Sequence, residues 1–94
     1  MAGEENKKIL ILREYIKISD NRTKIMELLY KSTLSPSKIS KKSGISVTTV
    51  SRILRELKEK GYVQILNPEV RKGRLYELTD MGNLVMENID KNIK

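Results

Sequence analysis

Between Ser35 and Gly61 the apolar positions follow two helical stripes separated by a glycine. Ser35 can cap the first, because its hydroxyl can accept from the free N–H groups of the opening turn, and Pro36 at the first helical position forfeits no hydrogen bond. Ile39 marks the inward side of this short helix, which Gly44 can end in a left-handed conformation. Ser46 can cap a second, longer helix that Gly61 ends in the same way. At the helical period Val47, Val50, Ile53, Leu54 and Leu57 share one side, as in a helix packed on a core. Short helix, glycine turn, longer helix is the outline of a helix-turn-helix.

Residues 1–6 read as a flexible end. In the segment 7–18, Ile9, Leu12, Tyr15 and Ile16 suit a helix, although Leu10 and Ile11 leave it apolar on more than one side and its β-branched content would also permit a strand. The reading adopted is a helix. Ser19 or Asp20 can cap the next helix, Asn21–Lys31, with Ile25, Leu28 and Leu29 inward. Ser32–Leu34 is a connector that could supply one edge of a small sheet. After Gly61 the apolar period changes to two. Tyr62–Leu66 and Arg74–Leu78 predict strands joined through the Asn67–Pro68 turn signal and Gly73, which makes a β-hairpin. Thr79 or Asp80 caps a last helix over 79–93, with Met81, Leu84, Val85, Ile89 and Ile93 as its stripe. Ninety-four residues then form a single domain, 1–94, of the α+β class and mostly α.

The polar side of the longer helix carries Thr48, Arg52, Arg55 and Glu59, flanked by Thr49 and Ser51. Arginine can offer two donors to guanine O6 and N7, and hydroxyls can reach bases or phosphates. The same residues would also suit a merely solvated face. Charge changes the picture. Residues 36–74 hold ten Lys or Arg (Lys38, Lys41, Lys42, Arg52, Arg55, Lys58, Lys60, Arg71, Lys72, Arg74) against Glu56, Glu59 and Glu69, and the rest of the chain balances, so the whole net charge of +7 lies there. A localised basic surface fits a polyanion, since each phosphate contact releases condensed counterions. Arg71, Lys72 and Arg74 flank Gly73 at the hairpin tip, where a wing would lie on a minor groove or backbone.

The chain has no Cys and no His, which removes thiolate or imidazole metal sites, disulfides, Cys nucleophiles and Ser-His triads. No glycine-rich phosphate loop is present. The expectation is a protein that is not an enzyme and needs no metal or cofactor. No apolar run approaches the length of a membrane span. The apolar block Ile9–Leu12 is too short for a leader and follows Glu4 and Glu5, so a cytoplasmic protein with no membrane partner is expected.

Four strings then resemble the winged helix-turn-helix family of transcription regulators, in its MarR/ArsR-like branch. Ser40–Leu54 (SKKSGISVTTVSRIL) looks like the family's turn and recognition helix, and Leu57–Val63 (LKEKGYV) like its exit into the first wing strand. Gly73–Gly82 (GRLYELTDMG) looks like the second strand and the start of the C-terminal helix. Tyr15–Arg22 (YIKISDNR) is similar to the lead-in to the first core helix in small archaeal members. The resemblance implies a three-helix core, a two-stranded β-hairpin wing and extra N- and C-terminal helices. It also implies sequence-specific double-stranded DNA binding, usually as a homodimer. Thr48, Thr49, Ser51, Arg52 and Arg55 match recognition-helix positions within 47–60. Arg71, Lys72 and Arg74 match the wing, 67–74, and Ser37, Lys38, Lys41 and Lys42 would touch backbone. Sensor branches with metal-binding Cys or His have no counterpart here.

Surplus apolar residues point to a homodimer. Ile9, Leu10, Ile11, Leu12 and Ile16 at one end and Met81, Val85, Met86, Ile89 and Ile93 at the other exceed what one small core is expected to bury. Exposed apolar patches usually mark partner surfaces, and Ile9, Leu12, Ile16, Val85, Ile89 and Ile93 are the candidate contacts. The competing reading is a winged-helix protein-interaction module of transcription or replication machinery. In such a module the recognition face tends to lose its cations, whereas this face keeps Arg52 and Arg55.

Overall fold

The computed structural model describes the backbone of residues 2–93 and the side chains of residues 7–30 and 32–89. In chain order the elements are α1 (Ala2–Lys17), α2 (Asp20–Lys31), α3 (Pro36–Ser43), α4 (Val47–Glu59), β1 (Val63–Ile65), β2 (Tyr76–Leu78) and α5 (Asp80–Ile93). The ambiguous N-terminal segment is a helix, which begins at Ala2.

Local chemistry sets the boundaries. Ser19 Oγ accepts from the Arg22 N–H at 3.2 Å and starts α2, while Thr23 Oγ1 donates back to the Ile16 carbonyl at 3.0 Å, binding α2 to α1. Ser35 Oγ accepts from the Lys38 N–H at 3.3 Å, with Pro36 in the first turn of α3. The Tyr62 N–H reaches back to the Leu57 carbonyl at 2.9 Å and the Gly61 N–H to Lys58 at 3.1 Å, which closes α4. That double closure requires Gly61 at φ +89°, a conformation a residue with a Cβ rarely adopts.

The strands are shorter than their periodicity suggests. Val63 pairs with Leu78, Gln64 with Glu77 and Ile65 with Tyr76, antiparallel. Tyr62 drops out of the ladder because its N–H is engaged by α4. Leu75 drops out because its N–H donates to Asn67 Oδ1 at 2.8 Å. The connector does supply an edge: Leu34 exchanges backbone bonds with Tyr76 at 2.8 and 3.1 Å.

All five helices and both strands contribute to one core. Ile25, Leu29, Ile39, Val50, Ile53, Leu54, Leu57, Val63 and Leu78 are buried as expected, with Met26, Leu34 and Met86 beside them. Ile16, Val85 and Ile89 are buried there too, so they cannot face a partner, and their assignment to a dimer contact is corrected. The single core accommodates them because α1 and α5 pack on each other and on α2. Ile9 and Leu12 are half-buried, Leu12 against the same core. The Ile93 side chain lies outside the described residues. Two stripe assignments also shift. Val47, the first residue of α4, is 46% exposed at the margin of its stripe. Leu84 is 50% exposed because it points away from the side of α5 that buries Val85, Met86 and Ile89.

Tyr62 joins the parts. Its ring is buried and stacked on Tyr15 with centroids 5.6 Å apart, and its hydroxyl donates to the Leu12 carbonyl at 2.8 Å. Burial holds the phenol's pKa above its ordinary value; Tyr15 adds to this and Arg22 opposes it. The Tyr62 carbonyl accepts from the Thr79 N–H at 3.0 Å. Thr79 Oγ1 donates to the Gly61 carbonyl at 2.6 Å and accepts from the Gly82 N–H at 3.1 Å, capping α5. A Cβ on Gly82 would run into the Tyr62 carbonyl.

Two substitutions test this junction. Gly→Ala within a helix ordinarily stabilises by about 0.5–1 kcal/mol. Gly82→Ala should instead destabilise by about 1–3 kcal/mol, as overpacking does, and lower the midpoint of a thermal melt. Tyr62→Phe should cost about 1 kcal/mol, the loss of one hydrogen bond. A Gly82→Ala protein that melts higher than wild type would contradict the close approach.

Candidate nucleic-acid interface

The turn between α3 and α4 is braced by short side-chain bonds. Gly44 takes φ +78°, and its N–H donates to the Ser40 carbonyl. Ser40 Oγ donates to the Ile45 carbonyl at 2.6 Å, and the Ile45 N–H donates to Ser43 Oγ at 3.1 Å. Ser46 Oγ then accepts from the Thr49 N–H at 3.3 Å and donates to Thr49 Oγ1 at 3.0 Å. These bonds fix how α4 projects from α3, since Ile39 and Val50 are buried on the other side of both helices.

On the outer side of α4, Thr48, Ser51, Arg52 and Arg55 are exposed. Thr49 is half-buried, and its hydroxyl is engaged by the cap, so it serves the helix start as well as the face. Ser37, Lys38, Lys41 and Lys42 on α3 are exposed. Two residues that periodicity did not single out also shape the surface. Glu56, one turn beyond Arg52, pairs with it at 3.4 Å. The spacing of four was legible in the sequence. Asn67 closes the hairpin, its Nδ2 donating to the Gly73 carbonyl at 3.2 Å while its Oδ1 takes the Leu75 N–H. Only the turn signal hinted at that role.

The wing cations divide. Arg71 and Lys72 are exposed at the tip beside Gly73, whose φ is +72°. Arg74 is half-buried, and its Nε donates to the Val70 carbonyl at 2.8 Å, so part of its guanidinium supports the loop itself. The wing follows α4 through β1, which packs on that helix. Ion pairs among the described residues are Arg13–Glu14, Lys17–Glu14 and Arg52–Glu56. The lysines of α3, Arg55, Arg71 and Lys72 belong to none of them, so these cations keep their charge available to an anion. Among the described residues no cluster of three or more His, Cys, Asp or Glu could hold a metal, and no helix is long and apolar enough to cross a membrane.

The sequence profile of the HVO_A0261 N-terminal domain family matches residues 13–94. Among characterised proteins, 66 residues are 42% identical to the phenylalanine–tRNA ligase alpha subunit of Sulfurisphaera tokodaii, covering 69% of this chain and 13% of that one. Sixty-one residues are 39% identical to the riboflavin kinase of Pyrococcus abyssi, covering 65% of this chain and 28% of that one. The chain therefore spans less than a third of either relative. Among solved structures, a mutant of the type III plasmid segregation protein TubR superposes with a TM-score of 0.79 at 18% identity, over 90% of this chain and 92% of that one. Wild-type MarR of E. coli superposes at 0.71 with 25% identity, over 93% of this chain and 68% of that one. A mutant of the same MarR, complexed with operator DNA, superposes at 0.65 with 25% identity, over 93% and 66%. The fold is the winged helix of MarR-type regulators.

If the exposed cations are not part of the scaffold, removing them should leave it intact. Arg52→Ala, Arg55→Ala and Arg71→Ala should each stay within about 0.5 kcal/mol of wild type in urea unfolding. Asn67→Ala should lose about 1–2 kcal/mol with its two loop bonds. Marked destabilisation by either α4 arginine variant would make that residue structural.

Proposed function

Because this chain belongs to the HVO_A0261 N-terminal domain family and folds as a winged helix, we propose that it is a double-stranded DNA-binding transcriptional regulator and not an enzyme. The observation that carries this is the outer side of α4, where Arg52 and Arg55 stand exposed beside Thr48 and Ser51 with no part in the core. The first turns of such a helix are the ones that enter a major groove. In this reading Arg52 and Arg55 reach base edges, Thr48 and Ser51 supply hydroxyls, and the α3 residues Ser37, Lys38, Lys41 and Lys42 hold phosphates. Arg71 and Lys72 take the adjacent minor groove or backbone. That a MarR mutant of similar fold forms a complex with operator DNA supports this reading.

A homodimer accompanies this reading, on a surface that keeps Leu10 and Ile11 from the surplus apolar residues of the sequence and adds Leu84. Leu10 and Ile11 on α1 and Leu84 on α5 stay exposed, Ile11 at 71%, after the core has taken Ile16, Val85 and Ile89. A twofold dimer that reads two half-sites needs its α4 helices roughly 34 Å apart, one turn of DNA, on a pseudo-palindromic site. A regulator of this kind works in the cytoplasm.

The decisive titration follows the anisotropy of a labelled random duplex across a salt series, for wild type and an Arg52→Ala/Arg55→Ala variant. Binding should fall steeply with log salt and be weaker in the variant, by about 1–3 kcal/mol per arginine on a preferred site. No binding at low salt would reject the reading and favour a protein partner. Sedimentation should show a dimer that Ile11→Glu converts to monomer; a wild-type monomer at micromolar concentration would remove the dimer.

A further inference from the structure

Glu56 is an acid beside the two arginines of the outer side of α4, with Glu59 farther along the helix. Glu56 Oε2 lies 3.4 Å from Arg52 Nη1, one helical turn along α4. Arg55, on the same face, has no ion pair among the described residues. An exposed pair at this spacing is worth little to the fold. Its larger effect falls on whatever meets the face.

We infer that Glu56 is a specificity-determining positioning residue: it holds the Arg52 guanidinium in place to read a base and discourages it from turning to phosphate. The inference rests on the DNA-binding reading above. Arginine carries five N–H donors, so a bond from Nη1 to Glu56 leaves donors enough for guanine O6 and N7. A guanidinium drawn toward one carboxylate samples fewer orientations before DNA arrives, so somewhat less freedom remains to be lost when the base contact forms. On a random sequence Arg52 could gain only by swinging to a phosphate. That motion would leave the Glu56 carboxylate unpaired against a polyanion whose charges recur roughly every 1.7 Å. Glu56 therefore penalises the wrong complex while tolerating the right one, the way a repulsive element secures selectivity.

The test uses wild type, Glu56→Gln, Arg52→Ala and the double variant. Each is titrated with random duplex and with a sequence that wild type selects from a randomised pool, over a salt series, with thermal melts alongside. Glu56→Gln should melt as wild type does. It should bind random duplex more tightly with a steeper salt dependence, and its preference for the selected sequence should fall roughly five- to tenfold, the lower range of what one bidentate arginine contributes. In the Arg52→Ala background the same change should alter the preference by less than about twofold, since Glu56 acts through Arg52. An undiminished preference in Glu56→Gln overturns the inference. An equal loss in the Arg52→Ala background also overturns it, by making Glu56 a reader of bases in its own right. If wild type itself fails to bind duplex, the DNA-binding reading falls and takes this inference with it; that failure is recognised before any variant is compared.

Discussion

The contacts of Tyr62 are the constraint on which the arrangement of this chain depends. Its N–H closes α4, its carbonyl receives the backbone of Thr79 ahead of α5, its ring lies on Tyr15, and its hydroxyl ends on the Leu12 carbonyl. Three segments, α1, the end of α4 and the lead-in to α5, are thereby referred to one residue. The phenol suits the position because its apolar ring fills the core while its polar end finds an acceptor. Arg22, 3.9 Å from the centre of the Tyr15 ring, and Lys60, 5.0 Å from it, add cations beside the same pair of rings. The end of α4 and the N-terminal helix are thus held as one body.

Charge and burial are kept apart in this molecule. Apart from the Tyr62 phenol, no charged or polar residue is fully buried among the described residues; Arg13 comes close, its side chain 13% exposed and its Nη1 donating to Asn88 Oδ1. The surface can then carry a strong excess of cations at small cost to stability, since exposed pairs contribute little. This separation is what lets α4 combine an apolar side made of Val50, Ile53, Leu54 and Leu57 with an outer side free to serve recognition.

Much of this was legible in the sequence because it is written locally. Ser35, Ser46, Gly44 and Gly61 act through bonds spanning three to five residues, and the stripe of α4 needs only its own period. The hairpin and the edge at Leu34 followed from similar short-range signals. What escaped depends on distant neighbours. Whether Ile16, Val85 and Ile89 face a partner or their own core is decided by how α1 packs on α5, which no window of sequence contains. The same holds for Leu84 against Val85, adjacent residues with opposite fates, and for Tyr62, which reads as a strand residue and acts as a junction. In the interface the candidate residues could be named from composition and spacing. The engagement of Thr49 in a cap and of Arg74 in its own loop could not, because a side chain's local bonds are invisible in a pattern of charges.

The two bonds of Asn67 have a consequence for the tip of the wing. They close the hairpin at its neck, between residue 67 and residues 73 and 75, so the register of β1 and β2 is set below the tip. Pro68–Lys72 therefore lies beyond the bonds that set this register. Within it Val70 is still tied to Asn67 and Arg74, so the exposed tip residues Arg71 and Lys72 are the ones free of the sheet's own bonding.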